Sequence, residues 1–379
     1  MIVKTNSAQS KTNIVNNNNE FAFNLFGDIC KTDSTNVFIS PISISSALSM
    51  AYDGAKGKTA KEMRKVLRFT KDQDVSHKEI TDLLNYYRNV KQGLFTIVNA
   101  AVAQEKYHFL ETYFALLKDY NAEIKSADFK DAVNREEARK QINKWVMDNT
   151  NNKIEELLDQ NSLDELTRLV LLNAIHFKAD WEHEFPTDKT RQMMFYGTSR
   201  QYIAYFMNIR EKFNYFENDS LQMVEIPYKD SLASMFIILP SDSTNINDFC
   251  QIFNYEEFCL IEKQMKTAKV DLQMPKFKIE AKYKLKENLM SLGMKTAFTN
   301  SANFNNMTGR SDLLIDDVIH QSFIEVDEKG TEAAAATAVV VRQKNGEHVV
   351  YLNLNRPFVF LIKEHYKGSI LFLGKFNNP

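Results

Sequence analysis

The sequence predicts an α+β fold, with helices first and strands later. Three observations carry that expectation. Up to about residue 146, apolar residues recur at three- and four-residue spacing behind capping residues. From residue 168 onward they run continuously or alternate, the two habits of strands. The 379 residues hold only 11 glycines and 7 prolines, too few for modules strung on linkers. Helices gathered before strands favour a segregated α+β architecture over alternating βαβ units.

In chain order, Phe21, Leu25 and Ile29 share a helical face after the Asn run at 16–19, which reads as a frayed terminus and cap. Ser40 before Pro41 is the favoured order for an N-cap and first helical turn, and Ile44, Leu48 and Ala51 make the stripe that follows. Thr59 with Glu62, and Asn134 with Glu137, form capping-box patterns ahead of further stripes. RLVLLNAIHF (168–177) is apolar on both faces, as a central strand is. LASMFIILP (232–240) is similar and stops at Pro240. In VDLQMPKFKIEAKY, Val270, Leu272 and Met274 fall on one side. The C-terminal PFVFLIKEHYKGSILFLGKF reads as two buried strands joined by a turn at Tyr366–Ser369.

Composition narrows the function classes. Basic and acidic residues nearly cancel, 47 against 49, so bulk electrostatics supply no attraction to nucleic acid. Cys30, Cys250 and Cys259 are too few and odd in number for a disulfide framework. They read as free thiols, with a Cys250–Cys259 pairing left open. The N-terminus lacks the apolar core of a secretory signal. No run reaches the roughly 18–20 apolar residues that span a bilayer. The expectation is a cytoplasmic protein with no membrane partner, signal-less export being left open.

No metal, nucleotide or hydrolase motif is present: HExxH, paired CxxC, GxGxxG, the P-loop and GxSxG are all missing. A Ser/His/Asp triad can be assembled from distant positions, so motif absence does not exclude an enzyme, but nothing argues for one and no cofactor is expected. His183 in WEHEF lies between two glutamates, but strand neighbours point to opposite faces, so it reads as a surface residue. Two polar residues interrupt apolar strands, Asn173 and His320, and each needs a hydrogen-bonding partner. The stretch EVDEKGTEAAAATAVVV (325–341) suits either an Ala-rich helix or a strand without a place in a sheet. Composition leaves both open.

Five stretches resemble the serpin family: NVFISPISISSALSMAYDGAKGKTAKEM (36–63), LLNAIHFKADWEHEF (171–185), MPKF (274–277), VIHQSFIEVDEKGTEAAAATA (318–338), and NRPFVFLIKE with the terminal LFLGKFNNP. The resemblance covers essentially the whole chain. It implies one domain, 1–379, with about nine helices around three β-sheets and an exposed reactive-centre loop at about 328–356. That replaces the two or three domains that length alone suggests.

The resemblance also implies roles. Ser40, Ser43, Asn173 and His320 match a polar cluster where two strands of the main sheet part, and they are expected to satisfy one another across that gap. Trp181, Lys276 and Glu328 match the top of the sheet, with a Lys276–Glu328 pair tuning how easily it opens. The loop hinge is Glu328, Gly330, Thr331, Glu332, Ala333, Ala334, Ala335, Ala336 and Thr337. After cleavage it inserts as a new central strand, Gly330 supplying a permissive backbone. Thr331, Ala333, Ala335, Thr337 and Val339 would then face inward, all small or β-branched. Family spacing places the scissile bond between Lys344 and Asn345, with Arg342 as the alternative, and both suit a trypsin-like protease. The implied partner is a serine protease held in a covalent complex. Elastase-like, chymotrypsin- or cathepsin G-like and papain-like targets, and a non-inhibitory chaperone or storage role, are the competing readings. The family's polyanion region, TDLLNYYRNVKQG (81–93), holds only Arg88 and Lys91, so no strong heparin site is expected, and the protein is expected to act as a monomer.

Overall fold

The computed structural model describes residues 13–89, 95–331 and 348–379, the side chains of Phe95, Thr96 and His176 excepted. Among these residues the fold is α+β, with ten helices and three sheets. Six helices lie in the first half: α1 (Ile14–Thr32), α2 (Pro41–Gly54), α3 (Gly57–Leu67), α4 (Gln73–Asn89), α5 (Glu111–Asp119) and α6 (Ala132–Asn149). The second half adds only α7 (Ile246–Ile252), α8 (Tyr255–Glu262), α9 (Lys286–Leu292) and the single turn α10 (Asn305–Thr308).

The first strands are β1 (Val37–Ile39), β2 (Phe95–Gln104), β3 (Ala122–Ala127), β4 (Leu169–Phe177), β5 (Ala179–Asp180) and β6 (Arg191–Tyr196). Then follow β7 (Gln201–Glu217), β8 (Leu221–Pro227), β9 (Ala233–Pro240), β10 (Lys266–Pro275) and β11 (Phe277–Lys284). The last are β12 (Ile319–Val326), β13 (Gly330–Thr331), β14 (Val349–Asn353), β15 (Phe358–Glu364) and β16 (Ile370–Phe376). The largest sheet runs β1-β16-β15-β9-β8-β7-β10-β14, with β6 also paired to β7. β9 and β16 are buried along their whole length, as continuous apolar strands must be.

Two smaller sheets carry the site. One runs β3-β2-β4, the other β11-β12-β13-β5. Only Lys178 separates β4 from β5, so the chain joins the two sheets, yet among the described residues β4 pairs with β2 alone and not with β12. The three-stranded sheet is held between two apolar layers. α2 packs on one face, against β4 and β16. On the other, Ala138, Ile142 and Val146 of α6 meet Ala100, Val102 and Leu172.

Several helix starts depart from the sequence reading. The Asn run is inside α1, whose cap is Asn13. Asn19 is buried there and donates to the Tyr255 hydroxyl and the Gly368 carbonyl, while its own carbonyl accepts from the Ile370 amide. Asn18 is bonded to Ser45. The capping-box residues are also engaged elsewhere. Thr59 accepts from the Asn303 amide, and Glu62 accepts from the Lys295 and Thr296 amides. α3 thus begins earlier, after Lys56, and α6 is capped by Asp131 rather than Asn134. Ser40 does precede α2, but its hydroxyl donates to the Leu371 carbonyl instead of capping. The cysteines are all free thiols, and His183 is exposed.

Candidate functional site

β4 and β12 diverge below β13, and the space between them is a cavity of about 600 Å³. Leu171 and Asn173 of β4, Ile319 and His320 of β12, and Ser43 and Ala47 of α2 line it. A strand inserted here would lie between β4 and β12.

The polar residues beside this gap fall into two groups. On the β12 side, the Ser40 amide donates to His320 Nε2 at 3.1 Å. Burial pushes the His320 imidazole down to about 3, so it is neutral and able to accept. On the β4 side, Asn173 Nδ2 donates to Asn99 Oδ1 at 2.7 Å, and the Ser46 hydroxyl donates to the same oxygen at 2.9 Å. Asn99 and Asn173 are also register partners in the β2–β4 ladder. The expected mutual satisfaction of all four residues is therefore corrected. Only Ser40 and His320 bond to each other. Asn173 bonds within its own half-sheet, and its Oδ1 is buried without a partner. Ser43 lines the cavity between them. Asn99 and Ser46 were missed, although Asn99 interrupts an apolar strand just as Asn173 does.

Above the gap the packing is dense. Trp181 is fully buried and stacks on Tyr228 with ring centroids 4.5 Å apart. Its indole N–H donates to the Asp327 carbonyl at 2.9 Å, and its amide to the Lys329 carbonyl at 2.7 Å. Lys276 Nζ lies 2.7 Å from Glu328 Oε2, and the Thr190 hydroxyl donates to Oε1, also at 2.7 Å. Burial alone raises the Glu328 carboxyl, but the bonds from Lys276 and Thr190 outweigh it and hold the group below its ordinary range. The three residues matched to the sheet top thus converge on Asp327–Lys329.

The chain next enters the sheet. Asp327 Oδ1 accepts from the Lys329 and Gly330 amides, which turns the backbone back. Gly330 pairs with Asp180, and Thr331 with both Ala179 and Val326. A Cβ on Gly330 would lie 2.1 Å from the Ala179 carbonyl oxygen and 2.6 Å from the Asp180 Cα. Gly330 is thus required by close backbone approach, not by an unusual dihedral, which corrects the reason given from sequence. Thr331 is buried, its hydroxyl 2.8 Å from that of Tyr228. The inward side chain is already inside, whereas the sequence reading put the whole segment in reserve. Glu332 to Thr337, Arg342, Lys344 and Asn345 lie outside the described residues. The chain resumes in β14, which pairs in parallel with β10.

This arrangement has close relatives. Residues 16–379 match the family model described as serpin (serine protease inhibitor). The chain is 38% identical to an uncharacterised serpin-like protein of Thermococcus kodakarensis, over 97% of this chain and 86% of that one. It is 37% identical to the leukocyte elastase inhibitor of Xenopus laevis, over 95% and 97%. The crystal structure of uncleaved ovalbumin superposes with a TM-score of 0.85 at 28% identity, covering 97% of this chain and all of that one. With the family model spanning nearly all of the sequence, and the described fold shared with solved members, the chain belongs to the serpin family.

Proposed function

We propose that this protein is a suicide-substrate inhibitor of serine proteases, cut between Lys344 and Asn345 by an enzyme of trypsin-like specificity. One observation carries the reading: Gly330 and Thr331 already occupy the sheet, beside the cavity of about 600 Å³ between β4 and β12. The residues that follow, Glu332 to Val341, include no proline, no aromatic ring and no inward charge to stop further insertion.

The chemistry belongs to the protease. Its serine oxygen attacks the Lys344 carbonyl carbon, and the serine proton passes through the protease's histidine to the Asn345 nitrogen as the peptide bond breaks. An ester now links Lys344 to the protease, and Asn345 leaves as a free amine on a fragment that includes β14 and the buried β15–β16 pair. The freed upstream segment fills the gap before water reaches the ester, and the tethered protease is carried with it. About a dozen new ladder bonds at about 1 kcal/mol each supply the drive, together with burial at about 25 cal/mol per Å². The inhibitor works as a monomer, as a single domain and without a cofactor. The leukocyte elastase inhibitor relative is consistent with protease trapping but leaves the target open.

Mixing with trypsin tests this. The expected products are a protein–protease band that survives SDS and a released peptide whose mass equals Asn345–Pro379. A peptide starting at Gln343 moves the bond to Arg342. Complete nicking with no SDS-stable band overturns inhibition.

A further inference from the structure

Outside the loop and gap, the strongest unexplained feature is α3 and its flanks. Every exposed side chain from residue 56 to 68 is basic: Lys56, Lys58, Lys61, Lys65 and Arg68. Lys58, Lys61 and Lys65, at i, i+3 and i+7, share one face of the helix, and Arg68 follows at its left-handed C-cap. Half-buried Arg64 borders this row. Exposed Lys295 adjoins it, its amide bonded to Glu62. The opposite face is closed, since Thr59, Met63, Val66 and Leu67 are in the core.

Acidic neighbours do not cancel the row. Glu62 is 3.7 Å from Lys58, but its oxygens accept from the Lys295 and Thr296 amides and the Thr296 hydroxyl. Glu20 pairs with Arg68. Asp72, in the following turn, receives the Asp74 amide. Among the described residues, Lys56, Lys61, Arg64 and Lys65 have no ion-pair partner.

We propose that the α3 face binds the phosphate backbone of duplex nucleic acid without reading its sequence. From Lys58 to Lys65 the helix rises about 10 Å and carries Lys58, Lys61, Arg64 and Lys65, about one cation per 3–4 Å. One strand of a duplex presents a phosphate per roughly 3.4 Å of axis. That density of cations suits a duplex, which carries one negative charge per about 1.7 Å of axis over its two strands. No aromatic side chain is exposed on this face to stack an unpaired base, which disfavours single strands. Its apolar side is already buried, which removes the wedge a membrane-surface helix needs. The near-zero net charge that argued against nucleic acid averages the whole surface and conceals this patch. The expectation of no heparin site concerned a different helix, α4, where the Arg88 guanidinium is turned toward the Tyr120 carbonyl.

Fluorescence anisotropy with a short random-sequence DNA duplex, from about 50 to about 200 mM salt, tests the assignment. Five phosphate contacts predict a slope of log affinity against log salt of about −4.5, and Lys61→Gln with Lys65→Gln should bring it to about −2.7 or shallower. Lys140→Gln with Lys144→Gln on α6 serves as the control and should change nothing. Protease trapping should be the same in all variants, so failure here leaves the inhibitory reading intact. Absence of duplex binding at low salt, binding indifferent to the α3 substitutions, or binding confined to a heparin-type polysaccharide would each overturn the proposal.

Discussion

Glu328 is the residue on which the top of the gap turns. Its carboxylate is nearly buried and held by Lys276 and Thr190, while its own carbonyl accepts from the Phe185 amide. Removing one partner of such a pair leaves the other charge badly solvated, so in the proposed mechanism the pair serves as a latch whatever its net contribution. Because Glu328 sits below its ordinary 4.5 in the folded chain, its ionised form stabilises the fold above about pH 4.5. That contribution is lost as pH falls through the lower folded value. Lys276→Met should therefore lower the melting temperature of the intact protein by a margin that is constant above pH 5 and shrinks below 4.5. Thermal melts of both proteins between pH 3 and 7 check this, and a margin independent of pH would contradict it. Asn173 shows a second residue-scale device. The residue lines the gap, yet its carbonyl oxygen is buried there without a partner, an unmet acceptor that costs about 1–3 kcal/mol beside the opening.

At the scale of elements, β13 is two residues long and flanked on both sides. A strand so short contributes little by itself, but it fixes the register of whatever follows it into the gap. Thr331→Arg would force a long charged side chain against Tyr228, whose ring is stacked on Trp181. The expected outcome is that the protease cleaves the variant and departs, with the moles of inhibitor consumed per protease trapped rising at least about tenfold, a barrier change of about 1.4 kcal/mol. Titration of trypsin activity measures it, and unchanged stoichiometry would show that insertion does not pass through this point. The element boundaries also show what was legible in sequence. Strand β9 and the β15–β16 pair follow from continuous apolar runs, because their burial is complete except at Lys363. The capping signals at Thr59 and Asn134 misled, because cap-type side chains also serve distant partners. The Asn run looked like a frayed end because its bonds reach residues 255, 368 and 370, which no local pattern records.

For the whole molecule, the sequence carried the α+β class and, through resemblance, the residues around the gap. What it did not carry was the division of the polar cluster between two half-sheets, since pairing across β2 and β4 is a property of register. Nor did it place the start of the loop inside the sheet, because that depends on how far apart β5 and β12 are held. These features describe a protein with a cavity between β4 and β12, and in the proposed mechanism filling it with a new strand is the source of the work done on a protease. Thermal unfolding of the protein before and after a single cut in the loop measures that stored difference. A dozen or so new ladder bonds predict that the cut form melts higher by on the order of 20 °C. A cut form that melts at or below the intact one would mean that the gap stays empty and nothing drives the trap.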